Sequence, residues 1–223
     1  MTMNPIFDEL KELYCKNPLV DCMNNIIYDG IISEHNYNKQ ERKILFIAKE
    51  HNRLNDSYDS GSYQNWWAPE NKADNNIRYT FSHRLSEWSY GLLNDFPDYS
   101  LIQPTDKQNA LKAIAFINVK KTYGGASSNP DVLKNYIQTS QTLLQKQIRE
   151  IAPNIIVTCF RYDDLTKELF GFDSMLPIPN SSFSYQKWNE TLVINFYHPS
   201  ARKKKCSLYS QLKEIVEIAK SSV

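Results

Sequence analysis

Four short apolar runs decide what this chain can fold into. They are Ile44–Ala48 (ILFIA), 113–117 (AIAFI), 154–159 (NIIVTC) and 192–196 (LVINF). Each is too short for a buried helix and too continuously apolar for a strand with one wet face, which is the pattern of strands covered on both sides. Between them lie helical periodicities: Phe81, Leu85, Trp88 and Leu92 over 81–95, and Val132, Tyr136, Leu143, Leu144, Ile148 and Ile151 over 131–151. Further helices are expected over 4–16, 163–171 and 207–220, the last burying Leu208, Leu212, Ile215, Val216 and Ile218. Such alternation predicts an α/β fold, a three-layer α/β/α arrangement around a central four-stranded, mainly parallel sheet. No repeat or low-complexity tract divides the 223 residues. The expectation is one domain over 1–223, with an N-terminal extension of about 1–40 and a long polar loop over about 53–80.

Composition narrows the partners. With 26 basic and 25 acidic residues the formal charge is only +1, so any contact with nucleic acid must come from a local patch. No segment approaches the run of apolar residues that a membrane span requires. The N-terminus lacks the basic-then-apolar pattern of a signal peptide. Cys15, Cys22, Cys159 and Cys206 are scattered, with no C-x-x-C pair and no zinc-ligand spacing. A reduced, cytoplasmic protein without a metal is the expectation.

In parallel sheets, ligands bind outside the carboxyl ends of the strands. Those ends here present Lys49-Glu50-His51, Asn118, Phe160-Arg161 and His198-Pro199-Ser200. A carboxylate and an imidazole across a cleft can divide a hydrolysis. Glu50 would orient and deprotonate water or offset a developing cation, and His198 would hydrogen-bond a departing anion. The Asn118 carboxamide sets a donor beside an acceptor, which suits the edge of a pyrimidine. Arg202-Lys203-Lys204-Lys205, directly after the H-P-S turn, would meet phosphates at the cleft mouth. Each residue also has a plainer reading: Glu50 as a solvated loop residue, Asn118 as a turn cap, His198 as the post of its own loop, Arg202–Lys205 as a wet basic run, Phe81 as core. Tyr123-Gly124-Gly125 reads as a turn or a phosphate cradle, and Trp66-Trp67 as a lid or as core.

Taken in order, ILFIAKEH, FINVKKTYGGASSN, QIREIAPNIIVTCF and VINFYHPS resemble the motifs of the uracil-DNA glycosylase superfamily over about residues 43–220. The resemblance implies that family's fold, with Glu50 at the acidic, water-activating position, Asn118 pairing with the flipped base and His198 in an unaltered H-P-S. Phe81-Ser82 is similar to the family's A-F-S element, whose Phe stacks on the base. Lys49, His51 and Asn52 would then line the base pocket, while Lys120, Lys121, Ser200, Arg202, Lys203 and Lys204 meet DNA. Ala48 stands where the family has Gly, His51 where it has Pro, and Asn52 where it has the Tyr that excludes thymine. Ala201-Arg202-Lys203 replaces the Leu that wedges into the duplex. These departures imply an altered base choice. The expected activity is that of a DNA glycosylase in base-excision repair. It would hydrolyse the N-glycosidic bond of a flipped uracil or other damaged or modified base, without metal or organic cofactor, as a monomer acting on single- or double-stranded DNA. Two alternatives remain open: a protein of the same fold that binds nucleic acid or a modified base without cleaving it, and an unrelated α/β hydrolase using His198 and Ser200. No G-x-S-x-G elbow accompanies the latter pair.

Overall fold

The four apolar runs lie side by side, all pointing the same way. In the computed structural model, which describes residues 5–17, 20, 26–52, 77, 80–124 and 127–221, they are β2 (Ile44–Ala48), β4 (Ala115–Asn118), β6 (Ile155–Thr158) and β9 (Thr191–Asn195). The other strands are β1 (Gly30–Ile31), β3 (His51–Asn52), β5 (Tyr123–Gly124), β7 (Leu176–Pro177) and β8 (Ser184–Trp188). The main sheet has seven strands in the order β1-β4-β2-β6-β9-β8-β7, and β3 and β5 form a two-stranded sheet of their own. β4, β2, β6 and β9 pair in parallel, whereas β1, β8 and β7 are antiparallel to their neighbours. The expected four-stranded sheet is therefore the parallel core of a larger, mixed one. The missed β8, SYQKW, is mostly polar and reads as loop until its pairing with β9 is seen.

The helices are α1 (Pro5–Lys16), α2 (Glu34–Asn38), α3 (Thr80–Leu93), α4 (Pro104–Lys112), α5 (Pro130–Ile151), α6 (Asp163–Phe170) and α7 (Lys205–Ser221). Strand side chains alternate between faces, so each strand feeds two cores. Phe46, Phe116, Val157 and Ile194 pack under Leu85, Trp88 and Leu92 of α3 and Leu208 and Leu212 of α7. Leu45, Ile47, Ile117, Ile156 and Val193 pack under Leu133, Ile137, Leu144 and Ile148 of α5 and Leu165 and Leu169 of α6. Helices thus flank the sheet on both faces. Full burial of each such side chain stabilises by about 1.5–3 kcal/mol.

α5 starts where the Asn129 side chain accepts from the Asp131 N–H and Pro130 fills the first turn. It ends with Ala152 in the left-handed region at φ 50°. Its buried face runs through Leu133, Tyr136, Ile137, Leu144 and Ile148, and Val132 faces solvent instead of packing inward as its spacing suggested. The N-terminal segment is more than an extension: β1 joins the sheet, and α1 packs Ile6, Phe7, Leu10 and Tyr14 against Tyr136 of α5.

From β2 the chain crosses to β4 by way of α3 and α4. From β4 it returns through α5, on the opposite face, to β6 on the other side of β2. The order reverses at β2 and β6, the position where α/β sheets open a crevice at their carboxyl edge.

Candidate functional site

Pairing between β2 and β4 continues past the strand ends. Val119 N–H donates to Ala48 O and Lys120 N–H to Lys49 O, each at 3.0 Å. β3 and β5 then set His51 beside Tyr123 and Asn52 beside Gly124. Two consecutive lysines here diverge. Lys120 Nζ meets Glu50 Oε2 at 3.0 Å, each side chain 7% exposed. Lys121 turns the other way, to Asp29 Oδ1 at 2.6 Å and Gln147 Oε1 at 2.8 Å, with its side chain 0% exposed. Burial pushes the Lys121 ammonium down, and Asp29 opposes that shift. A cation so enclosed has no route to a phosphate, so the DNA contact expected of Lys121 is replaced by a structural tie.

Asp29 also accepts the Asn118 backbone N–H at 2.8 Å through Oδ2, while Gln147 of α5 donates to its backbone O and to Oδ1. The carboxylate stands in for the strand that β1 no longer supplies, and it anchors the end of β4. Asn118 itself is 2% exposed, and its Nδ2 is buried with no hydrogen-bond partner among the described residues. Leaving such a donor unpaired costs roughly 1–3 kcal/mol, which an incoming acceptor would recover.

Glu50 is backed by Gly124. A Cβ at position 124 would overlap the Glu50 carboxylate, so only glycine lets β5 approach this closely. Tyr123-Gly124 is therefore a strand behind the acid, and Gly125 lies outside the described residues. The His51 ring lies 5.6 Å from that of Tyr123, and burial lowers its pKa.

Across the edge, His198 follows β9. Its Nδ1 accepts from the Ser200 N–H at 3.2 Å. Burial, with the Lys49 charge adding to it, lowers the imidazole to about 4. A neutral ring whose Nδ1 accepts must carry its proton on Nε2, so His198 offers a donor. Phe81, in the first turn of α3, lies 5.5 Å from the His198 ring and 5.6 Å edge-on to Phe116. Lys49 interacts electrostatically with both Glu50 and His198, and burial lowers its own pKa. The edge thus gathers Lys49, Glu50, Asn118, Phe81 and His198. Ser200, Arg202, Lys203 and Lys204 are exposed on the turn beyond. The Asn52 side chain and the 53–76 loop with Trp66-Trp67 lie outside the described residues.

Sequence reasoning missed Arg84. Buried in α3, its guanidinium donates to the carbonyls of Pro199 at 3.0 Å, of Ala201, and of Lys203 at 2.5 Å, fastening the H-P-S turn to the helix. An arginine beside Leu85 on an otherwise apolar face was the available signal. Beyond Lys49 and Phe160, a groove of about 700 Å³ runs between α5 and α6. Its rim mixes Lys134 and Lys167 with Asp131, Asp164, Glu168 and Asp173.

No cluster of three or more metal-ligating side chains occurs among the described residues, and none of their helices is long and apolar enough to cross a membrane. Cys159 is a free buried thiol and Cys206 a free exposed one. Comparison with models of known protein families gives no match, and a search of curated proteins gives none either.

Proposed function

We propose that this protein is a DNA glycosylase with a uracil-DNA glycosylase-like fold, acting on uracil or another modified base. The unpaired, buried Nδ2 of Asn118 carries this reading. A donor kept dry at a strand end, on the same edge as an acid and a neutral histidine, is suited to the carbonyl of a flipped nucleobase. Phe81 then lies against the base. The C1′–N bond breaks with its electron pair leaving on the base, and the His198 Nε2–H hydrogen-bonds the resulting anion, assisted by the Lys49 charge. Glu50 offsets the sugar cation and takes a proton from the water whose oxygen bonds to C1′; the base anion is finally protonated by solvent.

The test uses oligonucleotides containing uracil, hypoxanthine or xanthine, single- and double-stranded, assayed for alkali-labile sites. Base release is expected, falling at least about a hundredfold in Glu50→Gln. Silence of the wild type on every substrate refutes the enzymatic reading. One observation favours a second reading. The Glu50 carboxylate is already held by Lys120 in a largely dry ion pair, which suits a protein that binds a modified base without cleaving it. In that case Glu50→Gln leaves oligonucleotide affinity unchanged and the wild type releases nothing.

A further inference from the structure

We infer that Arg161, Tyr162 and Tyr197 form a platform on which unpaired bases of single-stranded DNA stack beside the pocket. This rests on reading the neighbouring site as a pocket for a nucleobase. The Arg161 guanidinium lies 5.4 Å from the ring centroid of Tyr162 and 5.4 Å from that of Tyr197. Tyr162 is 66% exposed, so one aromatic face is spent on solvent where the fold gains nothing from it. Tyr197 is anchored from behind, 4.9 Å from Phe183 and 5.6 Å from Phe196. Arg161 adopts φ 72°, a left-handed conformation that a side chain with a Cβ rarely takes, and its N–H is fixed to Phe196 O at 2.9 Å. Strain of this kind gathers where a side chain must be presented in one direction.

Position and charge identify the occupant. Tyr197 directly precedes His198, so whatever lies on the platform borders the candidate pocket. Aromatic rings interleaved with arginine hold successive bases regardless of sequence, and cations track the phosphates. The exposed Arg202, Lys203 and Lys204 supply those cations on the same turn. The turn also carries Ala201-Arg202-Lys203 and no apolar wedge. A surface with stacking rings and no wedge matches a strand whose bases are already unpaired.

The full chain is titrated by fluorescence anisotropy into a labelled oligothymidine, the same strand annealed to its complement, and the corresponding oligouridine RNA. The single DNA strand is expected to bind at least about tenfold more tightly than the duplex. Tyr162→Ala should weaken single-strand binding about tenfold, and Tyr162→Phe should retain it. Because Tyr162 is exposed, the melting temperature of the Ala variant should match the wild type, which separates lost stacking from lost folding. Equal affinity for strand and duplex, or an unaffected Ala variant, overturns the platform; tighter binding of the RNA overturns the assignment to DNA. Oligothymidine carries no lesion, so the two proposals fail separately. Base release from lesion-containing DNA with binding insensitive to Tyr162 removes the platform alone. Tyr162-dependent binding without release of any base removes the glycosylase alone.

Discussion

His198 is kept neutral by its surroundings: burial and the charge of Lys49 both disfavour a second proton, and no acid among the described residues compensates. Its pKa in the folded chain, about 4, lies below the ordinary 6.5. Between those values the unfolded chain binds a proton that the folded chain refuses, so stability is full above pH 6.5 and declines as pH falls toward 4. His51 and His83, both lowered chiefly by burial, push in the same direction. Denaturant titrations at pH 7 and 5 should show the wild type losing stability, with a smaller loss in His198→Gln; identical losses would mean that His198 is not the group responsible. Position made Glu50, Asn118 and His198 legible in the sequence, because each follows an apolar run. Lys121 was misread for the same reason that Asp29 and Gln147 were missed. Its acid lies 92 residues away in the chain and its amide 26, and no local pattern announces such partners.

Among the elements, β3 and β5 matter out of proportion to their two residues each. They extend the β2–β4 pairing until it frames Glu50, and the fit depends on the bare Cα of Gly124. Gly124→Ala should displace the carboxylate and, on the glycosylase activity proposed above, cut base release by roughly a hundredfold. The melting temperature should change little, as an assay run beside a thermal scan will show. Unchanged turnover would mean that Glu50 can retreat without consequence. Strands and helices with one strong period were readable to within a residue or two, as for β2 and α3. On α5, Tyr136, Leu144, Ile148 and Ile151 lie on the buried face as their spacing indicated, whereas Val132 faces solvent and Leu133 and Ile137 meet the sheet in its place. β8 escaped notice because it has the polarity of a loop and is a strand only by virtue of β9.

At the scale of the molecule, the buried Lys121–Asp29–Gln147 knot joins three distant parts of the chain: the segment before β1, the segment just after β4 and the C-terminal part of α5. Lys121→Met would leave Asp29 charged and without a counter-ion in the interior, a change that costs about 3–5 kcal/mol. For a chain of this size the melting temperature should drop by roughly 10 °C. A shift under about 2 °C in a thermal scan would mean that water reaches the carboxylate after all. The two borders of the main sheet, β1 and β7, are each only two residues long, and β7 ends in Pro177, which has no N–H to offer. Edges this short give a second copy almost nothing to template on. Concentrated samples of the folded chain should therefore resist growth into fibrils by backbone pairing at these two edges.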